Sequence, residues 1–584
     1  MPSLTRKKIH GHFYYYLRQC KWVNGKPKIT RTQYLGTAEQ IEPLFHQKTQ
    51  PALPEKTTAL AFGNVSLCYS IVQELGLADL IDQCLPKRNQ GLKFSDYLFI
   101  SVINRAVEAR SKSQMEKWVA KTALPDLMNL KDLSFLTPQH FWNHADEIFL
   151  PSEKEKEFPT SEKIDQAVTL IRNRCIEKFN LSLEFLHYDT TNYFTTISTF
   201  NSRSQFAKRG KNKQKRDDLR QVNWALAVSE KDHIPLFQKV YPGNINDVKE
   251  FPLLIPELEA LKTSVPGKPP AKITVVVDTG NWSEAIAQKL KKAGLDWITS
   301  LTPSYHPDLA SIPLDEKNFS PVEGRKGIQA HKTTKKLVLD KENPDDQQTV
   351  VVVFNATMFE KELKTYVKQK DRAYKELQDL QRRLENTAKR KMKKKPRERI
   401  SIEMELKEIL SPAYLKGCFP LRLEGAEDGY FRLIWSYDDE AFQTYIQNYC
   451  GKEFLATSRK DLSMEEIVNA RFQQAHIELA FKITKDETIG GWWPMYHWTD
   501  TQIMVHAFCC YLSLLILSII QKWLKEFNIK VGIHALMTDV LKWVLRLDLH
   551  YRNKKGKTQT FRTLCEMDSL QEKVVEAFRL KKYL

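Results

Sequence analysis

The sequence predicts an α/β protein built on a mixed sheet, and three observations carry the prediction. Residues 183–189 and 273–277 are short, continuous apolar runs of the kind that form buried strands, and each leads into an acid, Asp189 and Asp278. Residues 222–228 and 234–240 are two more strand-like runs, separated by a Lys-Asp-His turn. Helical stretches at 251–261 and 283–292 then alternate with the strand-like run 297–301. Strands first, then alternating helix and strand, is the order of a mixed sheet covered by helices.

Taken along the chain, residues 1–60 alternate apolar and polar around aromatics (HFYYYL at 12–17, WVNGKPKI at 22–29). Asn24-Gly25 between two such runs is a hairpin signal, so a small basic β-rich element is expected there. Residues 61–155 read as a helical region, with Leu75, Leu77, Leu80, Ile81 and Trp118 among its apolar positions, and a charged joint follows at 152–157. The first part of the sheet core occupies 156–302 and an insertion occupies 303–460, with strands expected at 349–354, 431–435 and 454–457. Inside the insertion, 359–389 is a charged helix with Tyr366, Ala373, Leu377, Leu380 and Leu384 on one side. It runs into a basic segment (KRKMKKKPR, 389–397), and 400–410 returns as a second helix, an antiparallel arm. Residues 461–522 complete the core with one helix over 464–485 and the apolar stretch 503–520. That stretch is 18 residues long, the lower limit for a membrane span, but it contains His506 and two serines and reads better as a helix buried across a sheet. Residues 523–584 are expected to be a helical C-terminal region.

Lys plus Arg exceeds Asp plus Glu by 89 − 71 = 18, an excess that suits a polyanionic partner, nucleic acid before an anionic membrane. With 42% hydrophobic and 27% charged residues the chain is globular and not a disordered tail. Its nine cysteines are scattered, odd in number and never spaced C-x-x-C, which argues against a disulfide framework or a zinc ribbon and fits a reducing cytoplasm. Residues 1–8 (MPSLTRKK) lead into no apolar h-region, so no signal peptide is expected. The absence of a G-x-x-x-x-G-K-[ST] loop points to chemistry without ATP.

Asp189 and Asp278 at strand ends, with Glu478 on the 464–485 helix, are the candidate chemical groups. Three converging carboxylates suit two Mg²⁺ ions, because hard cations take carboxylate oxygens, and two metals can activate an attacking water or 3′-hydroxyl and stabilise the leaving oxygen of a phosphodiester. Arg471, Glu478 and Lys485 stand at seven-residue steps, which on one helix puts them on one face about 10 Å apart. Cations on either side of a carboxylate suit a site that also holds phosphates; an ordinary charged helix face is the alternative. The loop KRGKNKQKR (208–216), with Lys211, Lys213, Lys215 and Arg216, is a further candidate for phosphate contact.

Four ordered blocks give the chain a resemblance to a known family. They are YDTTNYF (188–194); KRDDLRQ (215–221) with IPL (234–236) and YPGNIND (241–247); VDTGNWSE (277–284); and IELAFKITK (477–485) with PMYHW (494–498). Together they resemble the bacterial DDE insertion-sequence transposases, the cut-and-paste group with a Tyr-Arg-Glu-Lys signature. The resemblance implies an RNase H-like catalytic core with Asp189, Asp278 and Glu478 as ligands of two Mg²⁺ ions, which Mn²⁺ could replace. It implies that Lys485 contacts phosphate near the transposon end, with Arg471 gripping the other flank. It further implies double-stranded DNA partners (terminal inverted repeats and target), a homodimer on DNA, no membrane, and a nucleoid-associated protein of the bacterial cytoplasm. The expected reaction is cleavage at transposon ends, through hairpin ends, followed by strand transfer. The sequence departs from the signature at Arg471 and Gln474, and from neighbouring motifs at Thr279 and Trp493. Two other readings remain: an impaired DNA-binding relic of a transposase, and an RNase H-like structure-specific nuclease.

Overall fold

The computed structural model describes the chain except residues 1, 24–25, 43–52, 86–90, 149–160, 213–215, 217, 264–270, 339–345, 390–396, 426–429 and 553–556. Its residues divide into two compact units, 1–63 with 542–584, and 64–541.

In the first unit, β1 (Pro2–Ile9), β2 (His12–Val23) and β3 (Lys26–Gly36) form an antiparallel sheet. Pairing of β2 with β3 reaches Val23↔Lys26 on either side of Asn24-Gly25, the expected hairpin turn, which itself lies outside the described residues. A second three-stranded sheet joins β4 (Lys56–Ala61) to two strands near the C-terminus, Leu545–Arg552 and Thr558–Leu564. These two strands correct the expectation of a purely helical 523–584. Their residues alternate Leu, Asp, Leu, His and then Thr, Thr, Phe, a period-two pattern that β4 completes by pairing.

The second unit is organised by a nine-stranded mixed sheet. Its strands in chain order are β5 (Phe185–Thr195), β6 (Arg220–Ser229), β7 (Pro235–Pro242), β8 (Thr274–Val277), β9 (Asp296–Leu301), β10 (Ser320–Pro321), β11 (Ile328–Lys335), β12 (Gln348–Asn355) and, after a small hairpin of β13 (Leu421–Gly425) with β14 (Phe431–Trp435), β15 (Lys452–Thr457). The spatial order is β10-β11-β12-β15-β9-β8-β5-β6-β7. The middle strands β9, β8 and β5 are mutually parallel, and the strands on both sides continue antiparallel. Continuous β-branched runs (TVVV in β8, VVVV within β12) fill the two-sided interior, as expected where helices cover both faces. The stretch read as an insertion thus supplies four strands of this sheet.

Beyond those strands the insertion has a core of its own. The helix Ala356–Lys389 lays Ala373, Leu377, Leu380 and Leu384 against Ile402 and Leu406 of Arg399–Ile409, and Arg383 bridges to Glu405 at 2.5 Å. The run 390–396 of the basic tip lies outside the described residues. The apolar stretch around 503–520 forms the helix Asp500–Glu526, long and apolar enough to cross a membrane by length and composition, with 94% of its apolar window buried in the protein. It packs on β7, where the Tyr511 hydroxyl donates to the Pro235 carbonyl at 3.1 Å, and on the helix Phe94–Val107.

Candidate active site

Two acids follow the last paired residues where the parallel part of the sheet ends. β5 and β8 pair in parallel up to Tyr188↔Val277, so Asp189 and Asp278 come next on neighbouring strands. This corrects one expectation: β5 does not stop at Asp189 but runs six residues further to Thr195, with Asp189 opposite Leu226 of β6. The extension follows from pairing, because β6 continues alongside to Arg220 while β8 ends at Val277. Asp278 turns out of the sheet into a short 3-10 turn, Thr279–Asn281, which brings the Asn281 amide to 3.4 Å from Asp189 Oδ1. Asp189 also accepts from the Thr190 amide at 2.8 Å.

Glu478 arrives on a different support from the one expected. The single helix over 464–485 is two helices, α1 (Met464–Gln473) and α2 (Ala475–Thr484), with a break at Gln474. There the hydrogen bonding tightens: Gln474 N–H donates to Arg471 O and Ile477 N–H to Gln474 O, both at 3.1 Å and both three residues apart. Arg471 and Glu478 therefore do not share one continuous helical face. α1 lies on the β9–β15–β12 part of the sheet and α2 on β5 and β6. Glu478 is exposed.

Arg471 points to the ends of the interior strands β9 and β15. Its guanidinium donates to Glu453 at 2.7 Å, to the Ser300 hydroxyl at 2.8 Å and to the Gln474 side chain at 3.0 Å, and approaches Asp278 Oδ1 at 3.7 Å. Lys485 caps the C-terminus of α2, with its ammonium 5.8 Å from the ring of Tyr193, four residues beyond Asp189 on β5. The Tyr193 hydroxyl bonds that of Thr484, and its ring stacks on Trp492 at 4.4 Å, so α2 is clamped to the strand that carries Asp189. Burial pushes the Tyr193 hydroxyl far above the usual phenol range, keeping it neutral. In the basic loop, Lys211 is exposed, Arg216 pairs with Asp218 at 2.8 Å, and Lys213 and Lys215 lie outside the described residues.

Among the described residues, no group of three or more His, Cys, Asp or Glu is close enough to hold a metal ion. The donor chemistry nonetheless fits a hard cation: two carboxylates adjacent by strand register, one of them already drawing a cationic side chain, and an exposed glutamate on a helix packed against the same strand. Sequence reasoning missed Asn281, Glu453 and Ser300. No local pattern announces them, because their partners lie 92, 18 and 171 residues away.

The class of protein is a transposase, a metal-dependent enzyme that cleaves DNA and transfers strands. More narrowly, residues 194–513 match the transposase DDE domain family, and the chain belongs to it. Asp278 and Glu478 fall inside that span, and Asp189 five residues before it. Among solved structures, a piggyBac transposase synaptic complex with hairpin DNA is similar at a TM-score of 0.34 and 8% identity, over 84% of this chain and 82% of that one. No curated protein matches the chain.

Proposed function

We propose that this transposase is a bacterial insertion-sequence enzyme of the Tyr-Arg-Glu-Lys group, with an RNase H-like core, in which Asp189, Asp278 and Glu478 are the catalytic carboxylates. The observation that carries the reading is the register of β5 with β8, which puts two acids side by side at the end of the parallel strands. The three carboxylates would hold two Mg²⁺ ions, or Mn²⁺, which when bound polarise the scissile phosphodiester and favour deprotonation of the attacking water or 3′-hydroxyl.

The chain's own residues do the rest. Asn281 orients the Asp189 carboxylate by donating to it. Arg471, anchored on Glu453, lends Asp278 positive charge and grips a DNA phosphate on that flank. Lys485, beside Tyr193, meets a backbone phosphate at the transposon end. Lys211, Lys213, Lys215 and Arg216 of the basic segment 208–216 add contacts to double-stranded DNA. The reaction is cut-and-paste transposition through hairpin ends, carried out by a homodimer on the terminal inverted repeats, with 61–155 serving DNA binding and dimerisation, in the bacterial cytoplasm at the nucleoid.

The test is incubation of the protein with the inverted repeats that flank its gene, Mg²⁺ and a target duplex. Hairpin-ended excised DNA and joined product are expected. Nicked DNA without joined product would instead favour a structure-specific nuclease, and intact DNA a relic that only binds.

A further inference from the structure

The PMYHW block takes no part in the site described above, and its histidine faces something else. His497 and His506 line a cavity of about 30 Å³ together with Arg105 and Lys112. Such a volume admits about two water-sized groups. Among the described residues, no carboxylate lines it. Arg105, 4% exposed, is fixed from behind by the carbonyls of Gly491 at 3.3 Å and Pro494 at 2.7 Å. Lys112 sits 4.6 Å over the Phe141 ring and bonds the Ser101 hydroxyl, with no counter-ion among the described residues. His497, 7% exposed, keeps a buried Nδ1 without a hydrogen-bond partner. His506 is oriented by donating through Nε2 to the Trp492 carbonyl at 2.8 Å.

Four cationic or protonatable side chains around one small cavity, unrelieved by any acid, form an arrangement that costs stability unless an anion completes it. The strain shows in the groups themselves. Burial lowers the Lys112 ammonium to about 8, and burial with Lys112 and Arg105 alongside holds His497 well below the usual histidine range. The rim is reachable, since Lys112, Trp142, Gln502 and Val505 are only half-buried. Tyr496 and Trp498, which flank His497 in the chain, are 65% and 64% exposed and offer flat surfaces on which nucleic-acid bases stack.

We propose that this cavity is a phosphate-binding site, in which Lys112 and His497 receive two oxygens of a phosphate group while Arg105 supplies fixed positive charge. The phosphate is either a DNA backbone group entering at the rim or free inorganic phosphate. The site is separate from the carboxylates, although the Trp492 whose carbonyl orients His506 also stacks on Tyr193 of β5.

The test uses the full chain and inorganic phosphate as the probe, with chloride at equal ionic strength as the reference. Phosphate should raise the thermal midpoint above the chloride value. Lys112→Met should weaken phosphate binding about tenfold or more, the scale of a lost charge-assisted hydrogen bond, while Lys112→Arg retains it. His497→Gln, a milder change, covers the case in which Lys112→Met fails to fold, and should weaken binding in the same direction. Displacement of phosphate by a short single-stranded oligonucleotide identifies the backbone as the source; binding without displacement identifies a free anion. Equal stabilisation by phosphate and chloride, or wild-type phosphate binding in folded Lys112→Met and His497→Gln, overturns the proposal. Asp189→Asn should leave phosphate binding unchanged, so failure of the carboxylate assignment and failure of this site are read separately.

Discussion

Asp500 shows what a single carboxylate does when it is structural. It is 7% exposed and accepts from the Ser204 hydroxyl at 2.7 Å and from the Gln205 and Phe206 amides at 2.7 and 3.1 Å, pinning the segment beyond β5 to the first turn of the long apolar helix. Asp500→Asn removes the charge from three donors and should cost about 2–4 kcal/mol, read as a lower urea midpoint. An unchanged midpoint would mean that the segment is held by something else. Asp278, by contrast, has a side chain 51% exposed just past the end of β8, where burial demands no such commitment. The histidines make the opposite pH statement. Because His497 and His506 are held below the ordinary range, the folded protein keeps them neutral while the unfolded chain protonates below about pH 6.5. Unfolded chains then bind more protons, so stability is lost as pH falls through that value, about 1.4 kcal/mol per histidine by about pH 5.5. Thermal midpoints across this range should fall, and fall less in His497→Gln; equal slopes in the two proteins would contradict the assignment.

Among elements, the break at Gln474 decides most. A continuous helix would have carried Arg471, Glu478 and Lys485 on one face; two helices give α1 to the β9–β15 side of the sheet and α2 to β5, so Arg471 serves Asp278 while Lys485 stays beside Tyr193. Lys485→Ala should therefore weaken binding to transposon-end DNA and lower cleavage at sub-saturating DNA without changing fold or metal dependence. If the ammonium only neutralises a local charge, the change costs at most about 0.5 kcal/mol of stability, and wild-type cleavage rates would show it. The strands were legible because apolar runs such as 222–228 and 273–277 encode burial directly. The break was not, since Gln474 is neither Gly nor Pro, and the shift to three-residue hydrogen bonds depends on where the sheet holds each half. The C-terminal strands escaped for a related reason: the first pairs with β4, almost 500 residues earlier, and the second only with the first.

On the scale of the whole molecule, charge and site are separable. The 18-charge excess is spread over the chain and not confined to the acids' surroundings, so it sets affinity for DNA generally. Binding to any duplex should fall steeply between low and physiological salt, with about 0.9 counterion released per phosphate neutralised; a flat dependence would mean the charge serves another partner. Asp189 and Asp278 stand out in the sequence by their positions after apolar runs, and Glu478 by its place on a helix. Their grouping came from the ordered blocks, and the interactions of Arg471 with Glu453 and Asp278 only from the folded chain. The central claim is that Asp189, Asp278 and Glu478 act together on a phosphodiester. It is tested most directly by measuring Mg²⁺-dependent cleavage of terminal-repeat DNA with Asp189→Ala, Asp278→Ala and Glu478→Ala, each alongside a DNA-binding measurement. All three should abolish cleavage and retain binding; a folded variant that still cleaves would remove its residue from the site.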